Sequence, residues 1–287
     1  MKIPPHWIRR KQRIADMEHS LCGFSFDSDE DARRRLEKKA DLLAAFHARA
    51  AGRAVSRAAV EELRRELRVL DASPGEDTYS VAITEPVLRT LDNANIITRN
   101  RYGAQVLNSA DTCFLDVDSF PPSFWERICG IFGSSVSEEQ RLLRVVHALC
   151  AREDGLGIRV YRTARGWRLI VAASGLFAPD SVQARMLYDR LHVDPMYARL
   201  CCKQMCWRAR LTPKPYRLGM TGRYPAPSDS QAAQNPETAE WVARYDRHCS
   251  KAAVCRLIES VGVPMKSEIV ELHDDVTRAL RPDERLL

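Results

Sequence analysis

Asp111-Thr112-Cys113-Phe114-Leu115-Asp116-Val117-Asp118 is the stretch on which the reading of this chain turns. An apolar run ends in two carboxylates two residues apart, and in an extended strand alternate side chains share a face. Asp116 and Asp118 would therefore point the same way. Like charges held that close repel unless a cation or a proton lies between them, and a divalent metal beside phosphates is a common solution. The same pattern also arises where a strand runs out into a solvated turn, and Ser119-Phe120-Pro121-Pro122 is turn-like.

Downstream, Ile158 to Thr163 and Trp167 to Ala172 are β-rich runs around Ala164-Arg165-Gly166, which predicts a hairpin. Next, Arg208 to Leu211 reads as a strand leading into Thr212-Pro213-Lys214-Pro215. Between Pro195 and Pro227 lie seven basic residues, Arg199, Lys203, Arg208, Arg210, Lys214, Arg217 and Arg223, and no Asp or Glu. A stretch so uncompensated attracts polyphosphate or nucleic acid.

Working outward, Asp27 to Glu30 cap a helix over about 32–51, and Ser56 caps a second to Leu70, whose alternating charges mark a solvated face. Residues 72–76 are turn formers. A helix is expected over 85–97, a strand over 104–107, and helices over 137–152, 180–191, 194–202 and 237–261. Residues 1–20 read as a basic arm or short peripheral helix, and 226–236 as a mobile loop. The expected organisation is an arm and helical region over 1–75, an α+β core over 76–225, and a loop with a helical region over 226–287.

The chain has 287 residues and a formal charge of +6, with 45% hydrophobic and 29% charged residues, a globular composition. No apolar run approaches the roughly 20 residues that span a bilayer, and the amino terminus lacks a signal peptide's apolar core. A cytoplasmic protein without membrane contact is expected. Nine cysteines and no Cys-x-x-Cys pair read as reduced thiols rather than a zinc site or a disulfide framework. Cys113 or Cys129 with His147 lacks the spacing of a nucleophile pair. Trp125, Trp167 and Trp207 could stack on bases if exposed, or pack in the core. Neither a Walker loop nor Gly-x-Gly-x-x-Gly is present, which removes P-loop and dinucleotide readings.

The order of acidic strand, Gly-containing hairpin and Arg- and Lys-bearing segment resembles the archaeo-eukaryotic primase (primase-polymerase) superfamily over roughly residues 80 to 225. The resemblance implies an α+β fold in which a helical N-terminal region leans on a mixed or antiparallel sheet core with flanking helices. It implies a nucleotidyltransferase that builds or extends primers from nucleoside triphosphates on nucleic acid with Mg²⁺ or Mn²⁺, in some members with a second protein subunit. Asp116 and Asp118 would match the metal-binding pair, and Asp194, which could equally be a helix cap, a third catalytic acid. Thr163, Arg165, Gly166, Arg168, Arg208, Arg210 and Lys214 would lie at the nucleotide phosphates. Arg168 stands where the family has His, and a permanent guanidinium suits phosphate binding better than proton chemistry. Two alternatives keep the same residues: a nucleic-acid-binding protein that has lost the chemistry, and a metal-dependent nuclease.

Overall fold

The computed structural model describes residues 1–52, 54–71, 80–122, 136–173, 177–232 and 235–287. The turn expected over 72–76, with Trp125 and Cys129, lies outside them. The chain divides into two compact units, one of residues 1–86 and 225–241, the other of 87–224 and 242–287.

The first unit opens with a hairpin, not the arm or helix expected over 1–20. β1 (His6–Ile14) pairs antiparallel with β2 (Met17–Ser25), in register from His6↔Ser25 to Ile14↔Met17. Ala15 and Asp16 both have positive φ, 48° and 65°, giving the backbone twist that a two-residue hairpin turn requires. α1 (Asp29–Ala50) packs on this hairpin; the Ser28 side chain accepts the Asp31 amide, and Ala32, Leu36, Lys39, Ala40 and Leu43 form its buried stripe. α2 (Arg57–Val69) starts at the Ser56 cap and buries no residue fully. Residues 226–236, expected as a mobile loop, include a rung on β1: Arg9 N–H donates to Ser228 O and Ser230 N–H to Trp7 O.

The second unit is built on two four-stranded antiparallel sheets. One has the order β3-β4-β5-β9, from β3 (Val87–Thr90), β4 (Asn95–Arg99), β5 (Gln105–Ser109) and β9 (Trp207–Arg210). The other has the order β10-β7-β8-β6, from β6 (Cys113–Val117), β7 (Gly157–Thr163), β8 (Trp167–Ala172) and β10 (Cys255–Gly262). The helix expected over 85–97 is thus the β3–β4 hairpin, turned where the Asp92 carboxylate accepts the Ala94 amide. The helix expected over 237–261 ends early, as α6 (Pro236–Cys249), and from Cys255 the chain is edge strand β10. Val254, Leu257, Ile258 and Val261 have the i, i+3, i+4, i+7 spacing of a helix, yet the segment pairs with β7 and is bulged between Leu257 and Glu259.

Three further helices flank the sheets: α3 (Glu138–Cys150), opened by a Ser137/Gln140 capping box, α4 (Val182–Arg190) and α5 (Pro195–Gln204). α7 (Glu268–Thr277) follows β10. Phe114, Leu115, Val160, Leu169, Trp207 and Leu142 form part of one core, each no more than 1% exposed. Described helices and antiparallel sheets make this an α+β protein, as expected. No described helix is long and apolar enough to cross a membrane.

One contact brings the sheets together at the site. The Tyr197 hydroxyl of α5 donates to Phe114 O on β6 (2.6 Å) and accepts the Arg208 amide of β9 (3.4 Å). Beside it, Asp194 N–H donates to Asp116 O (2.9 Å). α5 thereby satisfies the open edge of β6 and sets the end of β9 next to it.

Candidate functional site: an arginine pair at the end of β6

Asp116 lies opposite Arg168 in the β6–β8 ladder, and their side chains meet. Arg168 Nε donates to Asp116 Oδ1 (3.0 Å), and Nη1 donates to Arg210 O of β9 (2.8 Å). Arg168 is 1% exposed, a cation buried within the otherwise apolar run Trp167 to Val171. Desolvation works against its charge, yet the surrounding groups, led by the Asp116 carboxylate, together hold the guanidinium above its ordinary pKa. Arg168 is therefore a buried ion-pair partner rather than the phosphate clamp expected from the sequence.

The third side of Arg168 is closed by α7, which lies outside the segments expected to form the site. His273 Nε2 lies 3.5 Å from Arg168 Nη1, and its Nδ1 lies 3.1 Å from Asp274 Oδ1. Arginine only donates and a carboxylate only accepts, so the tautomer is fixed: Nδ1 carries the proton and Nε2 accepts. Burial pulls the His273 pKa down to about 4, against the raising effect of Asp274. Asp274 also accepts from the Tyr161 hydroxyl (2.7 Å) and from Arg159 Nη2 (2.5 Å). A continuous polar chain thus runs from Asp274 through His273 and Arg168 to Asp116, inside an apolar shell. The adjacent His273-Asp274 pair in the amphipathic run 268–277 was its sequence signal.

Arg210 is the unbalanced member. Its Nε is buried without a hydrogen-bond partner, and its pKa is lowered, first by desolvation and then by Arg168. Asp116 attracts it, but Asp116 is already the partner of Arg168. Asp116 bonds Arg168 and acts on Arg210 only through space, and His273 adds no charge near neutrality. This corner carries uncompensated positive charge.

The remaining residues divide between scaffold and rim. The Thr163 hydroxyl accepts the Gly166 amide (3.1 Å), closing the β7–β8 turn. A Cβ on Gly166 would lie 2.1 Å from Val117 O and 2.9 Å from Asp118 Cα, so glycine lets the turn lie on the end of β6. Gly166→Ala should lower stability by about 1–3 kcal/mol, read as a fall in the denaturation midpoint. Arg208 is 9% exposed and donates to Gln204 Oε1 (3.1 Å), which makes it a packing residue. Arg165 is exposed at the turn, and Lys214 is half-buried before the 3-10 helix Pro215–Leu218. Both, with Arg217, act on the Tyr216 hydroxyl and keep its pKa below the ordinary value, led by the Arg217 hydrogen bond.

The resemblance implies a divalent metal, and the donor set does not fit a preassembled two-metal centre. Asp116 is engaged by Arg168. The Asp194 carboxylate accepts the Met196 amide (2.9 Å) as the cap of α5, the second of the two roles open to it. Among the described residues, no group of three or more His, Cys, Asp and Glu could hold an ion. Asp118 is exposed one residue past β6. Trp167 and Trp207, at 2% and 1% exposure, are core residues and offer no stacking surface. Cys113 is buried, its thiol pushed well up by desolvation, which suits packing and not nucleophilic attack. Comparison with protein-family models, with curated proteins and with solved structures finds no match to this chain.

Proposed function

We propose that the protein binds phosphoanions of nucleic acid at the β6–β8–β9 corner, on a primase-like arrangement in which the acidic strand has become the counter-ion of a buried arginine. The observation that carries this is that Asp116 is taken up by Arg168 while Arg210 beside it has its Nε buried without a hydrogen-bond partner. A charge short of a counter-ion is costly, and a phosphate bound at the half-buried Arg210 would supply one. Arg165 and Lys214 add positive charge at the rim.

Arg210→Met separates this reading from a structural one. Affinity for a labelled DNA or RNA oligonucleotide should fall, while the melting temperature holds or rises, because the change removes an uncompensated charge. Inorganic pyrophosphate should raise the melting temperature of the wild type more than that of the variant. No oligonucleotide binding by the wild type, or binding and pyrophosphate response unaltered in Arg210→Met, would sink the proposal.

A second reading, metal-dependent nucleotidyl transfer with Mg²⁺ or Mn²⁺ and nucleoside triphosphates, is favoured by the exposed Asp118 carboxylate beside Asp116. A magnesium ion is commonly held by one or two carboxylates completed by substrate phosphates and water. Incorporation of labelled nucleotide that disappears in Asp118→Ala would select it; shortening of a labelled strand would select the nuclease instead.

A further inference from the structure

Two clefts flank the 3-10 helix Pro215–Leu218, and neither includes an Asp or Glu among its described lining residues. One, of about 630 Å³, places Tyr102 of the β4–β5 turn with Tyr216, beside Arg101, Lys214 and Arg223. The other, of about 560 Å³, places Tyr216 and Arg217 with Arg247, Lys251 and Arg285. Tyr216 lines both, so its ring stands between the two clefts. The cations come from four stretches of chain far apart in sequence, so the basic run 195–227 supplies only part of the surface.

The aromatic pair has a distinct character. Tyr102 and Tyr216 are 56% and 59% exposed, whereas the tryptophans of β8 and β9 are buried. Each ring has a guanidinium beside it, Arg101 at 4.8 Å from the Tyr102 centroid and Arg217 at 5.9 Å from that of Tyr216. An exposed aromatic face next to fixed positive charge matches a ligand that alternates flat π-faces with phosphates. A duplex offers the phosphates but hides the base faces in its stack. An acidic peptide offers the charge without obligatory flat rings.

From this geometry we infer that Tyr102 and Tyr216, with the cations of both clefts, form a track for single-stranded nucleic acid. The inference rests on the nucleic-acid reading above and adds its strand form and path. Bases would stack on the two tyrosines, and Arg247, Lys251 and Arg285 would carry the backbone along the second cleft.

The test is fluorescence anisotropy of the full chain with a labelled oligothymidylate of about 12 nucleotides, a length within single-strand site sizes. Tyr102→Ala/Tyr216→Ala should weaken binding about tenfold or more, and Tyr102→Phe/Tyr216→Phe should largely retain it. Arg247→Ala/Lys251→Ala should flatten the dependence of log affinity on log salt by about 1.4, roughly 0.7 for each lost phosphate contact. Circular dichroism melts should match the wild type, since all four positions are exposed. Wild-type binding unchanged in the alanine pair would overturn the inference and leave the nucleic-acid reading standing. Equal affinity for a duplex of the same length would also overturn it, as would displacement by polyglutamate at matched charge. Failure of the wild type to bind any oligonucleotide would remove both.

Discussion

Asp116→Ala is expected to destabilise the protein by about 3 kcal/mol, whereas Asp118→Ala should stay within about 0.5 kcal/mol of the wild type. The two carboxylates look equivalent in the sequence, and a metal pair would lose activity alike from either change. In the fold only Asp116 touches the Arg168 guanidinium, which is 1% exposed. Truncating Asp116 leaves that charge buried with a carbonyl and a neutral imidazole as its remaining partners, and the penalty for an unpaired buried ion exceeds the worth of the pair itself. Because the Asp116 side chain is 34% exposed, water can partly replace it, which places the loss at the low end of the usual range. Replacing both partners, Asp116→Leu/Arg168→Met, should recover most of the stability, since two apolar side chains need no counter-ion. Urea denaturation of the wild type and these three variants measures the losses, and the single changes Asp116→Leu and Arg168→Met complete a double-mutant cycle for the pair. Equal losses from Asp116→Ala and Asp118→Ala would show that Asp116 is not the counter-ion.

How much of this was legible in the sequence differs by element for physical reasons. The Asp-x-Asp strand, the Gly166 hairpin and helices α1 and α2 were readable because each carries its own local code: alternation, a turn glycine, a capping serine. β1 and β2 were not, since their turn is Ala15-Asp16, where positive φ is imposed by the strand pairing and not advertised by glycine. β10 has the apolar spacing of a helix, and only its pairing with β7 makes it a strand. The basic segment was recognised, but its residues part company in space: Arg208 packs against Gln204, Arg210 enters the corner, and Arg217 lines a cleft with residues of the carboxy-terminal region. The role of Arg168 depends on partners 52 and 105 residues away, and no local pattern encodes distances of that kind.

The same network should make stability fall steeply as pH drops from about 6.5 to about 4. His273 faces Asp274, Arg168, Asp116 and the Cys255 thiol, with Phe114 and Tyr161 as its ring neighbours. Burial keeps it neutral down to about pH 4, whereas the unfolded chain protonates it near 6.5. Between these values the unfolded state binds more protons, so stability rises with pH, is complete above about 6.5 and is lost as pH falls through the window. The difference corresponds to about 3 kcal/mol. Protonation has a definite mechanical consequence: Nε2 would then present a proton to Arg168, turning an acceptor into a like charge. His273→Gln removes the titration while keeping an amide that can hydrogen-bond, so its stability should be lower than wild type at pH 7.5 and change much less between pH 7 and 4.5. Carboxylates held below their usual range, such as Asp29 and Asp31, lose their contributions mainly at still lower pH and do so in both proteins, so the difference between the two curves isolates His273. Parallel curves for wild type and His273→Gln across this window would mean that the imidazole does not hold Arg168 in place.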